Sequence, residues 1–101
     1  MAERRNIYGG VNSRTGIRNI EREIRKEVDQ ARSRPALTEL YKRAGYLVTL
    51  THAPSWRKHF GTRVKELRDT ARHEFSSTVR KINRQAKRVG VEPNYDETWG
   101  R

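Results

Sequence analysis

Apolar or small side chains recur at helical intervals along most of the second half of the chain. Successive members are separated by four, four and three residues, and this unit occurs three times without interruption. They are Trp56, Phe60, Val64, Leu67, Ala71, Phe75, Thr78, Ile82, Ala86 and Val89. An eleven-residue repeat has about 3.67 residues per turn, so it predicts one straight or slightly right-wound helix over residues 55–90. Gly61 weakens this helix locally, and Gly90 is suited to end it.

Two shorter helices are expected before the long one. Residues 16–32 place their apolar side chains in one stripe on an otherwise charged helix, and Ser13 or Thr15 can cap its amino end. Pro35 disfavours helical backbone at the residue before it, so it ends this helix. Proline also suits the first turn of a helix. The next helix is therefore expected over residues 35–52.

The chain is thus expected to be all-α, and two arrangements fit its lengths. The first two helices together span residues 17–52, which equals the 36 residues of the third helix. In a long helical hairpin turned at Pro54, the third helix lies along both of the others. Such a hairpin leaves an apolar seam half covered, and a homodimer would close that seam. In a three-helix bundle, the first helix instead folds back beside the other two.

The two ends of the chain differ from the helical domain, which we place at residues 15–90. Residues 1–14 have no periodicity and contain a Gly-Gly pair, so they are expected to form a flexible basic arm. Residues 91–101 form an acidic and aromatic tail. Its Tyr95 and Trp99 are the candidates for contacts, with Trp99 packing either on its own helices, which we favour, or on a partner.

A large excess of positive charge is the main indication of function. The 101 residues include 23 Lys and Arg against 12 Asp and Glu, which gives a net charge of +11. A field of this size attracts polyanions and acidic surfaces. Hydrophobic residues make up only 33% of the chain, so the core is expected to be thin.

The positive charge is concentrated near the end of the long helix. Residues 80–88 contain five cations and no acid, more than compensation of the helix dipole calls for. Asn83 and Gln85 lie among them and are good hydrogen-bond donors to phosphate. The candidate residues for binding a polyanion are Arg80, Lys81, Arg84, Lys87 and Arg88, together with Arg72 earlier on the same helix.

Two kinds of binding partner fit this pattern. The first is DNA or RNA, bound through its phosphates by neutralisation and counterion release, with little sequence preference. No aromatic surface for stacking bases is expected, because Trp56, Phe60 and Phe75 all belong to the apolar stripe. The alternative is a helical adaptor or assembly factor that docks on an acidic protein complex. Tyr95 and Trp99 would then provide a second contact.

Catalysis and metal binding are not expected. The chain has no cysteine, and His52, His59 and His73 do not share the spacing of a helical metal site. The carboxylates on the helices mostly have Lys or Arg at neighbouring helical positions, which is typical of surface ion pairs. We therefore expect neither an enzyme nor a bound cofactor.

The sequence also bears on location. The longest uncharged stretch, Ala44–Ser55, has about 12 residues, whereas a bilayer-spanning helix needs about 20. Residues 1–16 contain no apolar segment of the kind found in signal peptides. These features predict a cytoplasmic protein that does not bind membranes.

Overall fold

A computed structural model of the protein describes residues 13–99. Its elements in chain order are α1 (Arg14–Val28), α2 (Arg34–Thr51), α3 (Pro54–Phe60) and α4 (Arg63–Arg88). No strand occurs within residues 13–99, so the predicted all-α class is confirmed. None of the helices in this range is long and apolar enough to cross a membrane. Of the predicted flexible arm, residues 1–12 lie outside the described residues, whereas Ser13 caps α1 and Arg14 belongs to it.

Helix α1 begins where the side chain of Ser13 caps it. Ser13 has extended backbone, with φ −147° and ψ 160°, and its Oγ accepts a hydrogen bond from the Gly16 amide at 3.0 Å. The cap satisfies an amide that has no partner within the helix. The helix ends at Val28, four residues before the predicted end, and the following residues form a turn.

Helix α2 begins and ends within one residue of its predicted limits. The hydroxyl of Ser33 accepts a hydrogen bond from the Ala36 amide at 3.4 Å, and Pro35 lies in the first turn. The buried face of α2 is almost entirely apolar and includes Leu37 and Val48. Amides in the first turn of a helix have no acceptor within the helix. Proline has no amide hydrogen, so Pro35 is favourable at the start of α2.

The single helix predicted over residues 55–90 is divided in the structure at Gly61. This glycine has φ +59° and ψ −129°, a backbone conformation in which only glycine is free of strain. Its amide donates to the Arg57 carbonyl at 2.9 Å and closes α3. The prediction that Trp56 and Phe60 belong to the core stripe also needs correction, because α3 buries no residue completely and both rings are only partly covered.

Helix α4 lies against both α1 and α2. Arg14 pairs with Glu66 at 3.0 Å, and Asp29 pairs with Lys81 at 3.3 Å, so α1 and α4 run in the same direction. Arg68, near the start of α4, donates to the carbonyl of Thr51, the last residue of α2, at 3.0 Å. Helix α2 therefore runs antiparallel to α4.

Helices α1 and α2 also contact each other. The guanidinium of Arg43 donates to both carboxylate oxygens of Glu27, at 3.0 and 2.9 Å. Each of α1, α2 and α4 thus contacts the other two. Their shared core is formed by Ile17 from α1, Leu37 from α2 and Phe75 from α4, with the other buried apolar side chains around them.

The first residues of the tail are held against α2 and α4. Gly90 adopts φ +79°, and the Val91 amide then donates to the Ala86 carbonyl at 2.8 Å. Asn83 and Tyr95 exchange two hydrogen bonds: the Tyr95 amide donates to Asn83 Oδ1 at 3.0 Å, and Asn83 Nδ2 donates to the Tyr95 carbonyl at 2.9 Å. The backbone of the tail is therefore fixed to α4 by a side chain of α4.

The end of the described tail packs across α2. A Cβ added to Gly45 would lie 3.3 Å from the Trp99 ring, so the indole contacts the α2 backbone where no side chain intervenes. The Trp99 and Phe75 ring centroids are 5.9 Å apart. Ser76 of α4 donates to the Glu97 carbonyl at 2.8 Å. The tail thus covers the boundary between α2 and α4 on the molecule's surface.

Candidate nucleic-acid interface

Four of the candidate cations lie on the outer surface of the last turns of α4. Arg80, Arg84 and Lys87 follow one another at intervals of four and three, so they share one side of the helix. Arg88 lies beside Lys87, and all four are exposed. We call these four residues the α4 ridge. Because the apolar residues of α4 take the opposite side, the ridge projects into solvent.

The members of the α4 ridge differ in how far their charge is already neutralised. Arg80 lies 3.8 Å from the Glu97 carboxylate of the tail, and Arg88 donates to the neutral Gln85 amide oxygen at 3.3 Å. Within the part of the chain that the structure describes, Arg84 and Lys87 make no ion pair. Their charges are therefore available to a ligand without first breaking an internal contact.

Two other predicted cations are not part of this ridge. Lys81 is half-buried, unlike the ridge residues, and pairs with Asp29 at the end of α1 at 3.3 Å. Arg72 is half-buried on the side of α4 that also carries Ser76. The sequence places all six cations on one helix. Only the packing of α1 and the tail determines which of these cations are exposed.

Asn83 and Gln85, expected to donate to phosphate, use their amide groups within the protein. Asn83 is occupied by the tail at Tyr95. Gln85 is buried, and its Nε2 donates to the Ala31 carbonyl at 2.8 Å. These contacts join α4 to its neighbours, so this part of the prediction is corrected.

A further cation, which the sequence pattern did not indicate, belongs to the same end of the molecule. The bond from Gln85 to Ala31 brings the connection between α1 and α2 beside the last turns of α4. Arg32 follows immediately in that connection and is exposed. Because it is about 50 positions from the ridge in sequence, no local pattern links the two. Only the fold brings Arg32 to this end.

Tyr95 is integrated into its own chain. Its hydroxyl is 2.8 Å from the Thr38 hydroxyl, and its ring is 5.1 Å from the Tyr41 ring, centroid to centroid. The Arg34 guanidinium lies 5.3 Å from the centre of the Tyr95 ring, within the range of a cation–π contact. The structure therefore places this predicted partner contact mainly in an internal role.

Trp99 keeps a larger surface open. It is 45% exposed, and Tyr46 on α2 is 47% exposed; these are the two exposed large hydrophobic residues among those described. Both line one shallow groove of about 320 Å³, together with Tyr41, Lys42, Gly45 and Thr49. This groove is an apolar surface separate from the α4 ridge.

The titratable group with the largest shift lies far inside the protein. Glu21 of α1 is fully buried against α4, and its Oε1 accepts a hydrogen bond from the Thr78 hydroxyl at 2.8 Å. Burial raises the pKa of Glu21 to about 8, because removal from water disfavours the charged carboxylate. The hydrogen bond from Thr78 and the charge of Arg25 act in the opposite direction and are smaller. This carboxyl joins α1 to α4 and has no open surface.

Among residues 13–99, no group of three or more His, Asp or Glu side chains is arranged to hold a metal ion. Comparison of the chain with protein-family models, with curated proteins and with solved structures finds no match.

Proposed function

We propose that this chain is a non-catalytic nucleic-acid-binding protein that contacts the phosphate backbone with little sequence preference. The observation that carries the proposal is the α4 ridge, in which Arg84 and Lys87 are exposed without an ion pair among the described residues. Exposed faces of soluble helices usually mix both signs of charge. A face that keeps only cations favours a polyanion.

The chemistry of the ridge fits phosphate. Arginine offers a planar fork of N–H donors that matches two phosphate oxygens, and lysine supplies a point charge. Arg84 and Lys87 lie almost one helical turn apart, so they can contact neighbouring phosphates of one strand. Binding then releases counterions from the polymer, and affinity falls as salt concentration rises.

The arrangement of the helices supports the three-helix bundle over the long hairpin. In a hairpin, α1 and α2 would follow each other end to end along the third helix. Here Arg43 of α2 instead pairs with Glu27 of α1, and both helices pack on α4. The homodimer was expected in order to close a seam that the hairpin leaves open. We therefore infer a monomeric bundle, and the cytoplasmic location stays a prediction from the sequence.

A fluorescence-anisotropy titration against duplex DNA and structured RNA, repeated over a series of salt concentrations, tests the proposal. We expect log affinity to fall linearly with log salt concentration, since each phosphate contact contributes about 0.9 to the slope for duplex DNA. Similar affinities for unrelated sequences are expected. Absence of binding at low salt would overturn the proposal despite the net charge of +11.

The double variant Arg84→Gln/Lys87→Gln assigns the binding to the ridge. We expect duplex affinity to fall roughly tenfold and the salt slope to decrease by about 2, because two phosphate contacts are lost. The matched control is Arg18→Gln/Arg22→Gln, which removes the same charge from the exposed side of α1. If both variants weaken binding equally, overall charge and not the ridge is responsible.

A second candidate function is favoured by the groove that contains Tyr46 and Trp99. An apolar surface beside a basic helix suits an adaptor that docks on an acidic protein complex, with aromatic anchors in the groove. The variant Tyr46→Ser/Trp99→Ser separates the two functions. If the chain is an adaptor, this variant loses its acidic protein partner and keeps its affinity for duplex DNA.

A further inference from the structure

Helix α3 displays aromatic side chains at the edge of the molecule. The ring centroids of Trp56 and Phe60 are 4.9 Å apart, and those of His59 and Phe60 are 4.7 Å apart. Trp56 and Phe60 are partly buried against the core, and His59 is exposed. The break at Gly61 separates α3 from α4, and α3 buries none of its residues completely. Three rings in contact at the surface form a small aromatic platform.

The platform belongs to a segment of the chain that carries positive charge and no acidic residue. Residues 40–65 contain no Asp or Glu and six Lys or Arg. Of these, Arg57, Lys58 and Arg63 belong to α3 or the first turn of α4, and each is exposed. None of the three has an ion pair within residues 13–99. This edge of the molecule therefore combines unneutralised cations with partly open rings.

We propose that α3 and the first turn of α4 bind single-stranded nucleic acid, with bases stacking on the aromatic platform and phosphates contacting the surrounding cations. This inference rests on the proposed function and adds the strand type and a second contact surface. Stacking on aromatic rings requires unpaired bases, because the bases of a duplex have their faces covered by neighbouring pairs. It is also tolerant of sequence, in agreement with the backbone binding proposed for the α4 ridge.

The limited apolar area of the surface distinguishes this ligand from a lipid bilayer. Interfacial helices insert a broad apolar face beneath the lipid headgroups. On α3 the two largest apolar side chains, Trp56 and Phe60, turn part of their surface towards the core. Because the core covers part of each side chain, α3 has no broad apolar face to insert into a bilayer.

The platform lies near the opposite end of α4 from the ridge. Arg84 follows Arg63 by 21 positions on α4, which corresponds to about 32 Å along the helix axis. Substitutions at one surface therefore leave the other in place. The two proposed contacts can be tested separately.

The fluorescence of Trp56 provides a direct test. In a Trp99→Phe background Trp56 is the sole tryptophan of the chain. We expect a single-stranded oligodeoxythymidylate to quench its emission in a saturable manner, because a stacked base contacts the indole. A duplex with the same number of phosphates is expected to bind with little quenching, since it contacts the α4 ridge.

Two further variants, made in the same background, check that the quenching comes from this surface. The double variant Arg57→Gln/Lys58→Gln is expected to lower the single-strand affinity about tenfold. The variant His59→Ala, which removes one ring of the platform, is expected to lower it about tenfold as well. Both alter exposed side chains, and circular dichroism is expected to be unchanged. The control Arg18→Gln/Arg22→Gln, with the same loss of charge as the double variant, is expected to preserve the quenching.

Three outcomes would overturn the inference: no quenching by the single strand, equal quenching by the duplex, or a Trp56 response to phosphatidylserine vesicles in place of the oligonucleotide. Failure of the proposed function has a different signature. In that case the unmodified chain does not bind the duplex even at low salt, whatever Trp56 shows.

Discussion

At the scale of single residues, Glu21 is the most unusual side chain in the fold. Its carboxyl group is enclosed between α1 and α4, and its Oε2 has no hydrogen-bond partner among residues 13–99. Arg25, one turn later on α1, pairs with Glu74 at 3.0 Å. Because burial raises the pKa of Glu21 to about 8, this side chain is mainly neutral at pH 7.

This protonation makes the stability of the fold depend on pH. The pKa of Glu21 is about 8 in the folded state, against 4.5 for an unperturbed glutamate side chain. Between these values the folded protein holds more protons than the unfolded chain, so stability falls as pH rises from about 4.5 to about 8. The largest slope from one group is about 1.4 kcal/mol per pH unit.

Glu21→Gln should remove this dependence, since a glutamine is neutral at every pH and has nearly the same volume. Urea denaturation at pH 5 and at pH 8 measures the free energy of unfolding at each pH. We expect the wild type to lose more stability than the variant over this interval. Every other side chain is the same in the two proteins, so the difference between their losses reports Glu21. Equal losses would contradict the assignment.

At the scale of elements, the starts of α1 and α2 were predictable because they depend on nearby residues. Ser13 and Pro35 act on the helices that they begin, and a chain segment of a few residues contains all the information required. The division between α3 and α4 was not predictable from periodicity. The apolar repeat continues through Gly61, and only the fold reveals that Trp56 and Phe60 lie at the edge of the core.

The candidate site was also predictable in part: the sequence indicates where the cations are concentrated, but not which of them are neutralised. The excess of cations over residues 80–88 is a property of composition, and the structure places most of them on one exposed side of α4. Which charges are neutralised depends on Asp29 and Glu97, which belong to other segments. Local patterns contain no information on such pairs. The internal role of Tyr95 likewise follows from Thr38, far away in sequence.

The tail is the element whose removal should reveal most about the packing. Truncation after Gly90 removes the hydrogen bonds to Asn83 and Thr38 and the contact of Trp99 with α2. Each such hydrogen bond contributes about 1 kcal/mol, so we expect a loss of about 2–4 kcal/mol and a lower melting temperature.

The milder change Tyr95→Phe gives a graded comparison for the truncation. It removes only the hydroxyl that meets Thr38, at 2.8 Å, and should cost about 1 kcal/mol. Differential scanning calorimetry compares the two variants with the full chain. An unchanged melting temperature after truncation would mean that the tail contributes nothing to the fold and is free for a partner.

At the scale of the whole molecule, the described chain measures 43 × 31 × 19 Å and has a Cα radius of gyration of 13.9 Å. A hairpin arm of 36 helical residues would approach 54 Å in length. We expect small-angle X-ray scattering to give dimensions close to the compact values. Light scattering should give a monomer mass that is independent of concentration. A mass twice as large would favour the dimeric hairpin.

The pairing of α1 with α4 has a consequence for biosynthesis. The hydrogen bond from Thr78 to Glu21 joins residues 57 positions apart, and that from Arg25 to Glu74 spans 49 positions. When α1 and α2 leave the ribosome, the helix that covers most of their apolar faces has not yet been made. The nascent chain therefore keeps much of both faces open until α4 has been synthesised, and it then folds as one cooperative unit.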